Sequence, residues 1–246
     1  MRIPDDSFLK NTPIAHRGYH DQSLNIPENS YAAFDRAINF GYAIETDVRF
    51  TKDGKIVLFH DDTLNRMTDG TGKVYDKTFE ELQRYTLGSS EEKIPEFNDF
   101  LNYINGRVPL LIEIKHQPER SDLVSKTIDC LKNYKGEFAL QSFHPLYVLE
   151  MKKAAPQILR GQLATFMEKF SLKNHIIKNM NLNFITKPDF ISYNSQNLPF
   201  SKAKKKDKLL LAWTVRTEEE YYRVSPYVDN VIFENIRPEM LSKNKN

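Results

Sequence analysis

In "AIETDVRF" (43–50), strand alternation turns Ile44, Thr46 and Val48 one way and Glu45 and Asp47 the other. "LLIEIKH" (110–116) repeats the arrangement, with Ile112 and Ile114 on one face and Glu113 and Lys115 on the opposite one. Three carboxylates aimed into a shared interior repel one another and lose hydration, a cost that a cation offsets. Hard oxygen donors without cysteine suit a divalent cation, Mg²⁺ or Ca²⁺, better than a soft metal. The alternative is structural: the carboxylates form buried salt bridges to Arg17 and Lys115, or lie at exposed strand ends.

Two further stretches carry imidazoles. "IAHRGY" (14–19) is an apolar run that ends on His16 and Arg17, and "LFHDD" (58–62) places His60 after another. Two histidines near their ordinary pKa supply a general acid and a general base. Arg17 grips an anion bidentately, and Lys115 adds a point charge. Together with a metal, these groups suit displacement at phosphorus, where stabilising negative charge is most of the work. His20, His116, His144 and His175 lack such a setting and are read as structural. By alternation His116 points away from Lys115, and His144 precedes Pro145 where a helix starts.

Strands and helices must alternate to bring these residues together. Short runs rich in β-branched residues fall at 12–17, 43–50, 55–60, 108–115, 137–143, 158–164, 189–194, 209–215 and 230–235. Amphipathic stretches lie between most of them. "NSYAAFDRAINFG" has Asn29 or Ser30 as cap, Tyr31, Phe34 and Ile38 on one face, and Gly41 as stop. Such alternation predicts a parallel sheet with helical crossovers. Only "TKDG" (51–54) separates the second run from the third, too short for a crossover, so the third folds back as an antiparallel arm. Without that arm eight parallel strands remain. The predicted fold is an α/β (β/α)8 TIM barrel, a single domain over 1–246, with a β-hairpin excursion after the second strand. A turn centred on Lys52 and Asp53 pairs Phe50 with Lys55 and Glu45 with His60, returning the imidazole to the level of the carboxylates. His16, at the end of the first strand, lies next to the second strand at the same rim.

Composition agrees with one sizeable core: 40% hydrophobic residues, with 16 Phe and 12 Tyr. A formal net charge of +2 does not single out nucleic acid or an anionic membrane as partner. One cysteine, Cys130, excludes an internal disulfide framework. With no run resembling a signal peptide or a membrane span, a cytoplasmic protein without stable membrane insertion is expected. The lysine-rich "SKAKKKDK" (201–208) lacks interleaved aromatics and is read as a solvated exterior helix, not a nucleic-acid patch. The composition leaves the oligomeric state open.

The ordered motifs "AHRG" (15–18), "PENS" (27–30), "ETDV" (45–48), "KDG" (52–54), "LFHDDTLNRMTDGTG" (58–72), "IPEFNDFL" (94–101), "LIEIK" (111–115), "QSFHP" (141–145) and "LAWTV" (211–215) span nearly the whole chain. In this order they resemble the glycerophosphodiester phosphodiesterase family. The resemblance implies a TIM-barrel enzyme that hydrolyses a small-molecule glycerophosphodiester to glycerol 3-phosphate and an alcohol with a divalent cation. It assigns His16 and His60 as the acid/base pair, Glu45, Asp47 and Glu113 as metal ligands, and Arg17 and Lys115 as phosphate contacts. It also implies a supporting place near the substrate for Glu28, and a place in the substrate wall for Phe143 and Trp213. Three departures stand out: Ser30 where the family commonly has Thr, Met67 where a polar residue is usual, and a last strand ending "FENIRP", with Asn235 and Arg237 as substitutes.

A lysophospholipase D-like or sphingomyelinase D-like enzyme on the same barrel is the nearest competing reading. It needs an apolar approach for an acyl chain, whereas "NRMTDGTGKVYDKTF" (65–79) is mostly polar. A non-catalytic phosphate-binding barrel is expected to have lost a histidine or a carboxylate, and this sequence has lost none.

Overall fold

The computed structural model describes residues 3–166, 182–199 and 208–242. Among them nine strands form one sheet: β1 Ile14–Ala15, β2 Ala43–Phe50, β3 Ile56–Leu58, β4 Leu110–Ile114, β5 Phe138–Ser142, β6 Arg160–Ala164, β7 Phe190–Asn194, β8 Leu209–Val215 and β9 Asn230–Phe233. Their order is β1-β9-β8-β7-β6-β5-β4-β2-β3, and a further pairing of β1 with β2 closes the ring. All pairings around the ring are parallel, and β3 alone lies antiparallel, on β2. The expected (β/α)8 barrel with its hairpin arm is the architecture found.

Alternation sorts each strand into two apolar layers. Outward residues Ile44, Val48, Ile112 and Ile114 pack with Phe34 and Ala37 of helix Tyr31–Phe40 and with Phe97, Phe100 and Ile104 of helix Phe97–Ile104. The Ser30 hydroxyl caps the first of these helices, accepting from the Ala33 N–H, and Gly41 ends it in the left-handed region. Inward residues Ile14, Ala43, Leu111, Ala139, Phe190, Leu211 and Ile232 fill the barrel together with Ile3, Phe8 and Leu9 of the N-terminal segment. Phe190 needs the space that Gly161 leaves, because a Cβ at 161 would sit 2.1 Å from its ring. With the barrel filled by hydrocarbon, the inward carboxylates Glu45, Asp47 and Glu113 stand beyond it toward the C-terminal ends of the strands, while Asn230 at the opposite end donates to the Phe8 and Thr12 carbonyls.

β1 is only two residues long because the chain turns sharply after His16. Arg17 and Gly18 both take positive φ, 54° and 78°. A Cβ at Gly18 would lie 2.9 Å from that of Ala33, so the motif glycine is required by both backbone conformation and space. On β2, β1 therefore meets Ala43 and Ile44, and the arm β3 takes Val48, Arg49 and Phe50 further along the same strand.

The arm's register differs from expectation by one residue. Phe50 pairs with Ile56, not Lys55. The Thr51 and Lys55 backbones close the turn instead, around Lys52, Asp53 and a Gly54 at φ 79°. The Thr51 hydroxyl donates to Asp53 and accepts from the Lys55 N–H, which stabilises the longer loop. Continued, this register sets His60 opposite Thr46, not Glu45, and the strand itself stops at Leu58.

Beyond the arm, Phe59, Leu64, Met67, Val74, Leu82, Leu87 and Ile94 bury themselves in a separate apolar cluster with Val57. Met67 is thus a core residue of this excursion, which accounts for a thioether where a polar side chain is usual. No helix among the described residues is long and apolar enough to cross a membrane. His175 and the lysine run up to residue 207 lie outside the described residues.

Candidate active site

β2 and β4 run parallel with Asp47 beside Glu113, and the inward faces of both strands deliver carboxylates to one place. Glu45, Asp47 and Glu113 are all buried, and each offers an oxygen within 4.8 Å of the others. Their immediate partners are the expected cations. The Lys115 ammonium lies 2.9 Å from Glu113 and 3.3 Å from Asp47, and Arg17 Nε lies 3.6 Å from Asp47. The Arg17 backbone N–H, aimed inward by the turn after His16, donates to Glu45. Asn29 of "PENS" donates to Asp47 while accepting from the Thr46 hydroxyl.

The electrostatics are uneven. Burial, then the Asp47 and Glu113 charges, push the Glu45 carboxyl well above the usual carboxylate range. Burial also opposes ionisation of Asp47, but Lys115 and other cations outweigh it and hold Asp47 far below that range. Burial works against the Lys115 ammonium, yet Glu113 and Asp47 keep its pKa above the ordinary lysine value.

These residues fit a divalent cation. The donor set is all oxygen, as Mg²⁺ and Ca²⁺ prefer. Asp47 Oδ1 is buried without a hydrogen bond, in contact with the Lys115 ammonium at 3.3 Å, and burial together with its carboxylate neighbours holds Glu45 toward its protonated form, a penalty that a cation would relieve. The salt bridges of the structural alternative are present as well, so Lys115 and Arg17 share the neutralising role.

His16 and His60 line the same rim cavity as Arg17, Glu45 and Glu113. His16 Nδ1 lies 2.5 Å from Glu234 Oε1, and His60 Nδ1 lies 2.6 Å from Asp61 Oδ1. A carboxylate only accepts, so each ring donates through Nδ1, which leaves Nε2 as its second working nitrogen. His16 Nε2 lies 3.9 Å from Glu45. Burial, with the nearby Arg17, pushes the His16 pKa down to about 4 against the pull of Glu234, so the ring is neutral at pH 7. Arginines fix both carboxylates. Arg216 Nε donates to Glu234 at 2.7 Å, and Arg66 Nε to Asp61 at 2.6 Å.

The remaining sequence assignments separate into two groups. Phe143 and Trp213 do line the cavity and meet edge to face, ring centroids 5.3 Å apart. Glu28 does not line it: its oxygens accept from Arg17 and, through two nitrogens, from Arg66. It holds guanidinium groups in place and stands outside the substrate wall. Lys115 is at the rim but rests on carboxylates.

Several contacts of the site are not legible in the sequence. In "FENIRP" it is Glu234 that reaches His16. Arg237, one of the two expected substitutes, turns away to pair with Glu239 and cover the Phe40 ring. His20, read as lacking a setting, places Nε2 3.6 Å from Glu234. Arg66 sits in a quoted motif without having been singled out. No local periodicity points to these: Glu234 meets His16 and His20 from the far end of the chain, and Arg66 joins Asp61, five residues away, to Glu28, 38 residues away. His116 and His144 stack on each other, ring centroids 4.2 Å apart, and neither is among the residues lining the cavity.

A neutral imidazole beside clustered carboxylates and the Arg17 guanidinium is an arrangement of use where a charged phosphorus centre is attacked. On this fold it defines a class, the (β/α)8-barrel phosphoric diester hydrolases. Similarity to known proteins narrows the class. The family model of the glycerophosphoryl diester phosphodiesterases matches residues 16–237, and the chain belongs to that family. A glycerophosphodiester phosphodiesterase from Caldanaerobacter subterraneus is 33% identical over 95% of this chain and 97% of its own length. Glycerophosphodiester phosphodiesterase 1 of Bos taurus is 26% identical over 92% of this chain and 80% of its own. In fold, the chain resembles an Oleispira antarctica phosphodiesterase solved in complex with the product sn-glycerol-3-phosphate. That similarity has a TM-score of 0.79 at 23% identity and covers 96% of this chain and 97% of the other.

Proposed function

We propose that this chain is a single-domain enzyme that hydrolyses glycerophosphodiesters to glycerol 3-phosphate and an alcohol, with His16 and His60 as its acid/base pair. One observation carries the reading: two imidazoles, each oriented by a carboxylate at Nδ1, line one rim cavity with Arg17, Glu45 and Glu113. Glu45, Asp47 and Glu113 are assigned to hold one divalent cation, Mg²⁺ or Ca²⁺. When bound, that ion supplies Lewis-acid stabilisation of negative charge on the phosphoryl oxygens.

The chain's own groups do the rest. Arg17, braced by Glu28, holds a phosphoryl oxygen through its guanidinium. Lys115 keeps the carboxylate cluster close to neutral, and its charge adds to the field at the phosphate. One imidazole Nε2 takes the proton of the attacking hydroxyl as its oxygen bonds to phosphorus. The other gives a proton to the alkoxide released as the opposite phosphorus–oxygen bond breaks. Phe143 and Trp213 cover the organic arm of the substrate.

The test is release of glycerol 3-phosphate from glycerophosphocholine and glycerophosphoethanolamine with Mg²⁺, Ca²⁺ or EDTA, for the wild type and His16→Ala. Metal-dependent release that is lost in the variant supports the reading. No release from folded protein with either metal moves the substrate to acyl-bearing lysolipids. Full activity in His16→Ala overturns the site.

A further inference from the structure

The cavity has two unlike walls. One carries His16, Arg17, His60, Glu45 and Glu113, and the other is built from Phe143, Leu163, Trp213 and Ile232 with a single polar side chain, Gln141. Gln141 is 1% exposed and stands on β5 directly beside Glu113 of β4. An amide at such depth in an apolar wall is costly unless its polar ends are used.

The oxygen end is used. Ser192, fully buried on β7, donates its hydroxyl to Gln141 Oε1 at 2.8 Å across the barrel. A carboxamide has one acceptor end and one donor end, so holding the oxygen against Ser192 fixes the direction of the NH₂ group. Trp213 adds no donor to the cavity, because its indole N–H is committed to the Ser192 backbone carbonyl at 2.9 Å. β7 thus orients both the amide and the indole of this wall.

We propose that the Gln141 amide N–H donates to a hydroxyl of the substrate's glycerol arm and selects polyol phosphodiesters over diesters whose arm lacks hydroxyls. The inference rests on the function proposed above and names the group that recognises its substrate. With the phosphate held by Arg17, the organic arm lies along the Phe143, Leu163 and Trp213 wall, where a hydroxyl has Gln141 to meet. A substrate lacking it leaves a buried donor unpaired, which is how such sites discriminate. Ser192 is a positioning residue, acting only through the amide.

The experiment compares glycerophosphoethanolamine with propyl phosphoethanolamine, identical except for the two hydroxyls, in wild type, Gln141→Leu and Ser192→Ala. Binding of glycerol 3-phosphate and of propyl phosphate is measured calorimetrically alongside. The wild type is expected to favour the glycerol compounds in both kcat/KM and affinity. In Gln141→Leu the KM for the glycerol diester rises about tenfold, kcat moves less, and the preference collapses toward one. Ser192→Ala shows the same change in smaller degree, because the freed amide keeps its donor but loses its direction. Equal wild-type affinity for glycerol 3-phosphate and propyl phosphate overturns the proposal, as does an equal loss on both diesters in Gln141→Leu. Discrimination in binding without turnover of either diester leaves the hydroxyl subsite standing and removes the proposed reaction instead.

Discussion

Glu234 and His16, 218 residues apart in the chain, meet through Oε1 and Nδ1 at 2.5 Å. Neighbours hold this pair in place: Arg216 donates to the second carboxylate oxygen, and the strand that leads into Glu234 pairs with the one that leads into His16. A neutral imidazole donating to a carboxylate has one tautomer available, so the bond presents the Nε2 lone pair to the cavity.

Glu234→Gln tests that role. The amide can present NH₂ to Nδ1 and stabilise the opposite tautomer, with no loss of bulk. The expected result is a fall in kcat of about 10- to 100-fold with a smaller change in KM. Steady-state kinetics measure it, and an unaltered circular-dichroism melt shows that the fold is intact.

Metal removal separates the two accounts of the carboxylate cluster. If Glu45, Asp47 and Glu113 hold a cation, adding it at about a hundred times its Kd contributes about 2.7 kcal/mol. That corresponds to a rise in Tm of about 5–10 °C for a chain of this size. Thermal melts in EDTA and in excess Mg²⁺ or Ca²⁺ read the shift, and Glu113→Gln is expected to diminish it strongly. A cluster neutralised only by Lys115 and Arg17 gives no shift in either protein.

Acid stability reports on Asp61. Burial pushes its carboxyl up, but hydrogen bonds from Arg66 and His60 outweigh this and bring its pKa down to about 2. A carboxyl depressed in the folded state stabilises above its unfolded pKa, and the contribution is lost as pH falls through the folded value. Wild type is therefore expected to exceed Asp61→Asn in urea midpoint at pH 6. The difference shrinks below about pH 4 and is nearly gone at about pH 2.

Gly161 and Phe190 test the packing beneath the site. Gly161→Ala drives a methyl into the Phe190 ring and is expected to cost about 1–3 kcal/mol. Phe190→Leu leaves space of its own, but the double variant is expected to lose less than the sum of the two, by about 1 kcal/mol or more. Urea denaturation of the four proteins closes the cycle, and strict additivity would mean that the contact carries no strain.

Much of this protein is readable along the chain because the relevant signals have short periods. Alternation in "AIETDVRF" and "LLIEIKH" sends Glu45, Asp47 and Glu113 inward whatever lies around them, and the brevity of "TKDG" forces the third strand antiparallel. All nine candidate strands are present, β2 and β8 with the expected bounds and the other seven trimmed. The hairpin register differs by one residue from that of a two-residue turn, because a three-residue turn closed by Thr51 and Lys55 leaves the same sequence signature.

Strand alternation, turn length and motif order are local, and they suffice to specify the barrel and to bring His16, His60 and the carboxylates to its rim. Only the closed barrel decides what each of those groups touches. Closing β9 against β1 sets Glu234 on His16, the excursion after β3 folds Arg66 onto Glu28, and β7 turns Ser192 toward Gln141. Hydrogen bonds have short range and strict direction, so such pairs exist only once distant strands are held a few ångströms apart, and no period in the sequence encodes that distance.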